Sequence, residues 1–176
     1  MSSPFTTIYK AIRTKILADM PEVKHVNLDY GQLKTYDGRP SVQFPCVLID
    51  FIGWQFSNIG ENAQIAEGQV VITVGFAQYT RTDGIATDSM LERGLEYMEI
   101  EQAMCEQFHG WAPGDGFGYL IRQAATTVNL PNGIRTRVVS FVLEFEDYSL
   151  ARLYTVGAKP LPEISTTSVD IIVPAP

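Results

Sequence analysis

Three groupings of residues have the types and spacing for chemistry. Cys105 and His109 stand four apart in a helical pattern, where a thiol and an imidazole share one helix face. In that geometry an imidazole takes the thiol proton and leaves a nucleophilic thiolate. Glu106 and His109 form a Glu-x-x-His pair, the unit from which carboxylate-bridged di-iron sites are assembled. "GDGFG", Gly114 to Gly118, sets three glycines around Asp115 and Phe117. Such backbone cradles a phosphate where it opens a helix, and holds calcium where several oxygens converge.

Each grouping meets a physical obstacle. An activated thiolate wants an electropositive, accessible setting. Cys105 falls instead in an apolar periodicity with Leu91, Leu95, Met98 and Phe108, which reads as core. A di-iron site needs two Glu-x-x-His pairs and two further glutamates on a four-helix bundle; this chain has one pair and is half sheet. The glycines miss the dinucleotide spacing, and they follow a helical stretch and precede a strand, the reverse of a phosphate-binding order. Asp115 is a lone carboxylate where calcium asks for several ligands. The stretch reads as a turn. Glu92, Glu96 and Glu99 line one helix face and read as solvated surface. His25 stands alone in a connector, and no G-x-S-x-G elbow supports a serine nucleophile. The sequence therefore predicts no catalytic site, no cofactor and no metal.

The elements around these residues are well marked. Pro4 to Met20 carries Phe5, Ile8, Tyr9, Ile12 and Ile16 on one helical face, with Ser3 as N-cap, Pro4 at the first position and Pro21 as stop. Pro21 to Val42 is a connector with one short strand-like stretch. Cys46 to Phe56 and Gly68 to Tyr79 alternate in β-branched and aromatic residues and form a hairpin with a long polar tip, Ser57 to Glu67. Asp88 to Trp111 returns to helical spacing, capped by Asp88 or Ser89 and stopped by Gly110. Tyr119 to Leu130 and Ile134 to Tyr148 make a second hairpin around Asn132-Gly133. A two-residue turn there would oppose Ala124 to Phe141, Leu120 to Phe145, Ile121 to Glu144 and Thr127 to Val138. Leu120, Ala124 and Val128 would then join Val139, Phe141, Leu143 and Phe145 on the helix-covered face, with Arg135 and Arg137 at its turn end.

The fold class that follows is α+β: an antiparallel sheet of two long hairpins with two helices on one face, in the order α-β-β-α-β-β. Residues 1–150 form this single domain, and 151–176 a proline-punctuated C-terminal extension with one strand-like run, Thr166 to Val173. Strands of roughly 11–15 residues span about 36–50 Å, and a helix of about twenty residues covers only ~30 Å. The sheet is expected to overhang its helices and to offer edges to a partner.

Composition bounds the rest. The chain has 176 residues, 45% of them apolar, and a formal charge of −7. That suits an ordinary globular domain and opposes a protein whose task is to grip nucleic acid. Lys10, Arg13 and Lys15 read as the wet flank of a helix rather than a nucleic-acid surface. No apolar run is long enough for a membrane helix, and the N-terminus has no signal-peptide core, so a cytoplasmic product is expected. Cys46 and Cys105 are expected as buried thiols.

The lead helix "FTTIYKAIRTKILADMPEVKHVNL", the strands "FPCVLIDFIGWQF" and "EGQVVITVGFAQY", the second helix and the Asn-Gly hairpin follow in an order that resembles one family. It is the phage and prophage tail-terminator, or tail-completion, proteins of the lambda U-like class, particularly members from Bacteroidetes-type prophages. The resemblance covers about residues 4 to 150. It implies a structural virion component without enzymatic activity. Such a subunit forms a homo-oligomeric ring, a hexamer, at the head-proximal end of the tail. Its partners would be further copies of itself, the tail tube protein and the head–tail connector, with no sequence-specific nucleic acid and no membrane. It would be found in the bacterial cytoplasm during assembly and in the virion tail afterwards. Candidate interface positions are Asn58, Glu61, Asn62 and Gln64 at the hairpin tip, and Thr80, Arg81 and Asp83 before the second helix. Arg135 and Arg137 at the second turn and Val169 and Ile171 in the extension complete the set. Alternatives are a neck or head–tail adaptor, a hydrolase with a dispersed site, or a binding module with no catalytic activity. A ligand pocket in that module would be lined by Trp54, Phe76 and Met98.

Overall fold

The computed structural model describes residues 3–34, 42–60, 63–77, 82–130 and 134–149. The elements are α1 (Pro4–Asp19), β1 (His25–Leu28), β2 (Cys46–Gly60), β3 (Ala63–Ala77), α2 (Asp88–Phe108), β4 (Ile121–Asn129) and β5 (Ile134–Asp147). They build the expected α+β architecture on one five-stranded sheet, ordered β1-β2-β3-β5-β4. The four long strands pair antiparallel, as their alternation requires. The connector supplies the fifth strand: β1 joins β2 in parallel over His25↔Cys46 to Leu28↔Ile49, so the sheet is mixed.

The main core lies between the sheet and the helices. α1 buries Ile8, Ile12 and Ile16, the predicted face, against Val47, Ile49, Val70 and Ile72 of β2 and β3. β5 contributes Val139, Phe141, Leu143 and Phe145 to the same side. At its far end a ring cluster closes the layer. Phe5 meets Trp54 edge-on at 5.0 Å between centroids, and Trp54 lies 5.3 Å from Phe145. Gly68 makes room for it, since a Cβ there would run into the Trp54 indole.

The opposite face is not wholly bare. The chain before β2 folds across one end of it and packs Leu33, Val42 and Phe44 with Cys46, Leu48 and Ile134 into a second, smaller core. Both faces of the sheet are thus covered at the Cys46 end.

Four sequence expectations change. The long polar tip is mostly strand: β2 runs to Gly60 and β3 starts at Ala63, with Phe56↔Ala66, Ser57↔Ile65 and Asn58↔Gln64 in register. Polar residues continue the ladder there because neither face needs to be apolar. The β4–β5 pairing is one residue out. Ala124 opposes Ser140, not Phe141, and Thr127 opposes Arg137. A bulge between Arg122 and Ala124 shifts it again, so Ile121 meets Val142 and Phe117, not Leu120, bridges Phe145. A one-residue slip exchanges faces, which takes Ala124 and Val128 out of the helix-covered layer. The helix cap at α2 is Thr87, not Asp88 or Ser89. Finally, α2 buries Cys105 and Phe108 as expected but adds Gly94, Ile100, Glu101 and Met104 to them, while Leu91 and Met98 stay 39% and 47% exposed.

Candidate functional site

The residues first singled out for chemistry come together at the C-terminal end of α2 and serve the fold. Gln102, Cys105, Glu106, His109 and Arg122 line a shallow cleft. His109 Nδ1 accepts a hydrogen bond from the Arg122 backbone N–H at 3.2 Å, which ties the helix end to the start of β4. Glu106 accepts from Gln102 Nε2 at 2.8 Å. The Cys105 thiol is buried, and its contact with the exposed Arg122 guanidinium holds that group's pKa above its ordinary value. Among the described residues, no three His, Cys, Asp or Glu side chains are grouped to hold a metal ion.

The glycine stretch is the turn its spacing predicts, and it has a definite task. Gly116 sits at φ 82, where a side chain would be strained. Gly118 donates its N–H to the Glu144 carbonyl at 2.7 Å, and a Cβ at Gly118 would lie 2.9 Å from that oxygen. The turn therefore docks on the edge of β5 beyond the end of β4. The thiol of Cys46, deep in the second core, is pushed up to about 12, first by loss of solvent. The proposed ligand pocket does not form from its three residues. Trp54 and Phe76 are held in ring contacts, and Met98 faces outward. A cavity of about 210 Å³ instead lies on the opposite face, lined by Leu33, Thr73, Val128, Leu130 and Val138. It falls below the roughly 300 Å³ at which small-molecule sites begin.

The candidate interface residues divide three ways. Asn58 and Gln64 face each other across the hairpin, with Gln64 Nε2 donating to Asn58 Oδ1 at 2.8 Å. Asp83 lies in the exposed turn before α2. Arg135 and Arg137 are committed inward. Arg135 stacks 4.7 Å over the Tyr97 ring and donates to the Gly94 carbonyl at 3.2 Å. Arg137 grips Glu101 with two nitrogens, Nη2 donating to Oε1 at 2.8 Å and Nε to Oε2, and also donates to Thr127 Oγ1 at 2.7 Å. The ion pair raises the Arg137 pKa further. Glu61, Asn62, Thr80, Arg81, Val169 and Ile171 lie outside the described residues, as does the Thr166–Val173 run.

What stands exposed is sheet. β1 ends at Leu28, opposite Ile49, so the rest of β2 has no strand on that side among the described residues. From Asp50 onward β2 is exposed or half-buried, including Ile52, Phe56 and Ile59. β4, at the other edge, is exposed from Ile121 to Val128. The registers put Asp50, Glu67, Glu144 and Glu146 on the side away from the helices, all exposed. No lysine or arginine of the described strands shares that side. The sequence signal was strand length; the sign of the face emerged only with the register.

No protein-family model and no curated protein sequence matches the chain. A solved structure does. A chain from the virion of a native gene transfer agent particle superposes with a TM-score of 0.51 at 12% identity, over 84% of this chain and 100% of that one. The likeness is one of fold. It spans the whole of the virion chain. Among the described residues no helix is long and apolar enough to cross a membrane.

Proposed function

We propose that this protein is a structural subunit of a phage-like virion, a tail terminator that closes into a ring at the head-proximal end of the tail and catalyses no reaction. The observation that carries the reading is the uncovered sheet. Two 15-residue strands project past their helical cover with an open edge, and β4 offers another at the far side. Open edges and bare faces in a folded protein are places for neighbours. The two edges differ, so a contact between them is heterologous and closes into a ring when the rotation allows. The likeness in fold to a gene transfer agent virion chain supports the class of assembly.

The acidic strand residues of the uncovered face suit the inside of such a ring. Six subunits of −7 would bring roughly −42 in all. A lumen lined by Asp50, Glu67, Glu144 and Glu146 would repel passing DNA rather than hold it. The test is native mass by light scattering across concentration, with negative-stain imaging of the largest species. Closed rings, six subunits round, are expected. A strict monomer at the highest concentrations overturns the reading.

A further inference from the structure

If the subunit forms a ring, as proposed above, the two helices specify how one copy meets the next. On α1 the solvent side carries Thr7, Ala11, Thr14 and Ala18 at spacings of four, three and four. This stripe is the floor of a broad, shallow groove, with Trp111 at one side. Lys10 and Lys15 flank it on opposite sides of the helix, and Lys15 lies 5.7 Å over the Trp111 ring. The groove is small-floored, and its cations are Lys10 and Lys15, the latter also paired with Asp19 at 2.8 Å.

α2 carries the complementary relief. Leu91, Leu95 and Met98 repeat at four and three residues, and Leu91 and Met98 are large apolar side chains left in water. Beside them runs an acidic ridge, Glu92, Glu96 and Glu99, all exposed. An apolar stripe turned away from its own core marks a contact surface. Large residues on one helix seat against small ones on another when their ridges and grooves match, and here the charges beside them are opposite. The two surfaces are unlike and lie on different helices, so in the ring proposed above each copy presents one of them to either neighbour. Such a contact runs head to tail.

We propose that α2 of each copy docks in the α1–Trp111 groove of the next, with Leu91, Leu95 and Met98 seated over Ala11 and Thr14 and the glutamates facing Lys10 and Lys15. The test is a charge exchange read by light scattering. K10E/K15E and E92K/E96K, all at exposed or half-buried helix positions, should each raise the concentration midpoint of assembly about tenfold or more. The four changes together in one chain should return it to within a few-fold of the original. Ala11→Tyr, which fills the groove, should block assembly while leaving the unfolding midpoint of the monomer in place. Three results overturn the inference: single reversals without effect, a combined variant no better than either half, or Ala11→Tyr assembling normally. If the unmodified protein still forms rings in those cases, the contact lies elsewhere and the ring reading stands. A groove that instead takes up a different virion protein would give the same result. An unmodified protein that never assembles overturns both.

Discussion

At the scale of residues, the titratable groups that looked chemical hold the fold together. Glu101 is only 8% exposed and owes its tolerance there to Arg137. Removing one partner leaves a poorly solvated charge, so Glu101→Ala is expected to cost about 3 kcal/mol in chemical denaturation. Replacing both, as in E101L/R137L, should recover most of that loss, because two apolar side chains suit the site. Cys46 gives the pH signature. Its thiol titrates at 9.0 ordinarily and is pushed up to about 12 here, so the folded state keeps a proton that the unfolded chain releases. The stabilisation is whole below pH 9 and drains away as pH rises toward 12. Against Cys46→Ala, the unmodified protein should lose up to about 1.4 kcal/mol per pH unit across that window. Burial of the Cys46 thiol was legible in sequence; the Glu101–Arg137 pair was not, because Arg137, placed at the turn end of the helix-covered face, had no partner until the helix and sheet were brought together.

At the scale of elements, existence and order were readable and orientation was not. Both helices, the four long strands and the turn at Gly114–Gly118 follow from periodicity and punctuation. The α2 periodicity was real too, but two apolar stripes compete on that helix. The C-terminal part of the expected one, Cys105 and Phe108, is buried, whereas Leu91, Leu95 and Met98 give way to Gly94 and Ile100, with Gly94 and Tyr97 lying against Arg135 at the start of β5. The register of β4 was misjudged for a different reason. The offset is already present at Asn129↔Arg135, beside the connection, so it arises from a connection other than the two-residue turn, and the bulge at Gln123 shifts the pairing again further along. Gly118→Ala tests the docked glycine turn. With the Glu144 oxygen 2.9 Å from the new methyl, the loop must lift off β5, and a loss of about 1–3 kcal/mol is expected by thermal or chemical unfolding.

At the scale of the whole molecule, charge is segregated by surface. On the uncovered part of the sheet the charged strand residues are all acidic, while α1 carries Lys10, Arg13 and Lys15 on the far side of the same layer. That division makes a DNA prediction. The unmodified protein should not retard duplex DNA at ordinary salt. The triple reversal E67K/E144K/E146K, worth about six charge units per subunit, should create binding that weakens steeply between 50 and 200 mM salt. A gel-shift series at the two salt concentrations decides it. The sheet order has a further consequence, in time rather than in space. β3 is flanked by β2 and β5, and its last residue, Ala77, pairs with Ile134. A ribosome adding about 5–20 residues per second therefore releases the β2–β3 hairpin several seconds before β5 emerges. For that interval the strand at the heart of the sheet is an open edge, and α2 has only the β3 part of its floor to lie on. The nascent subunit is most prone to mispair just when its neighbours are being made on the same message.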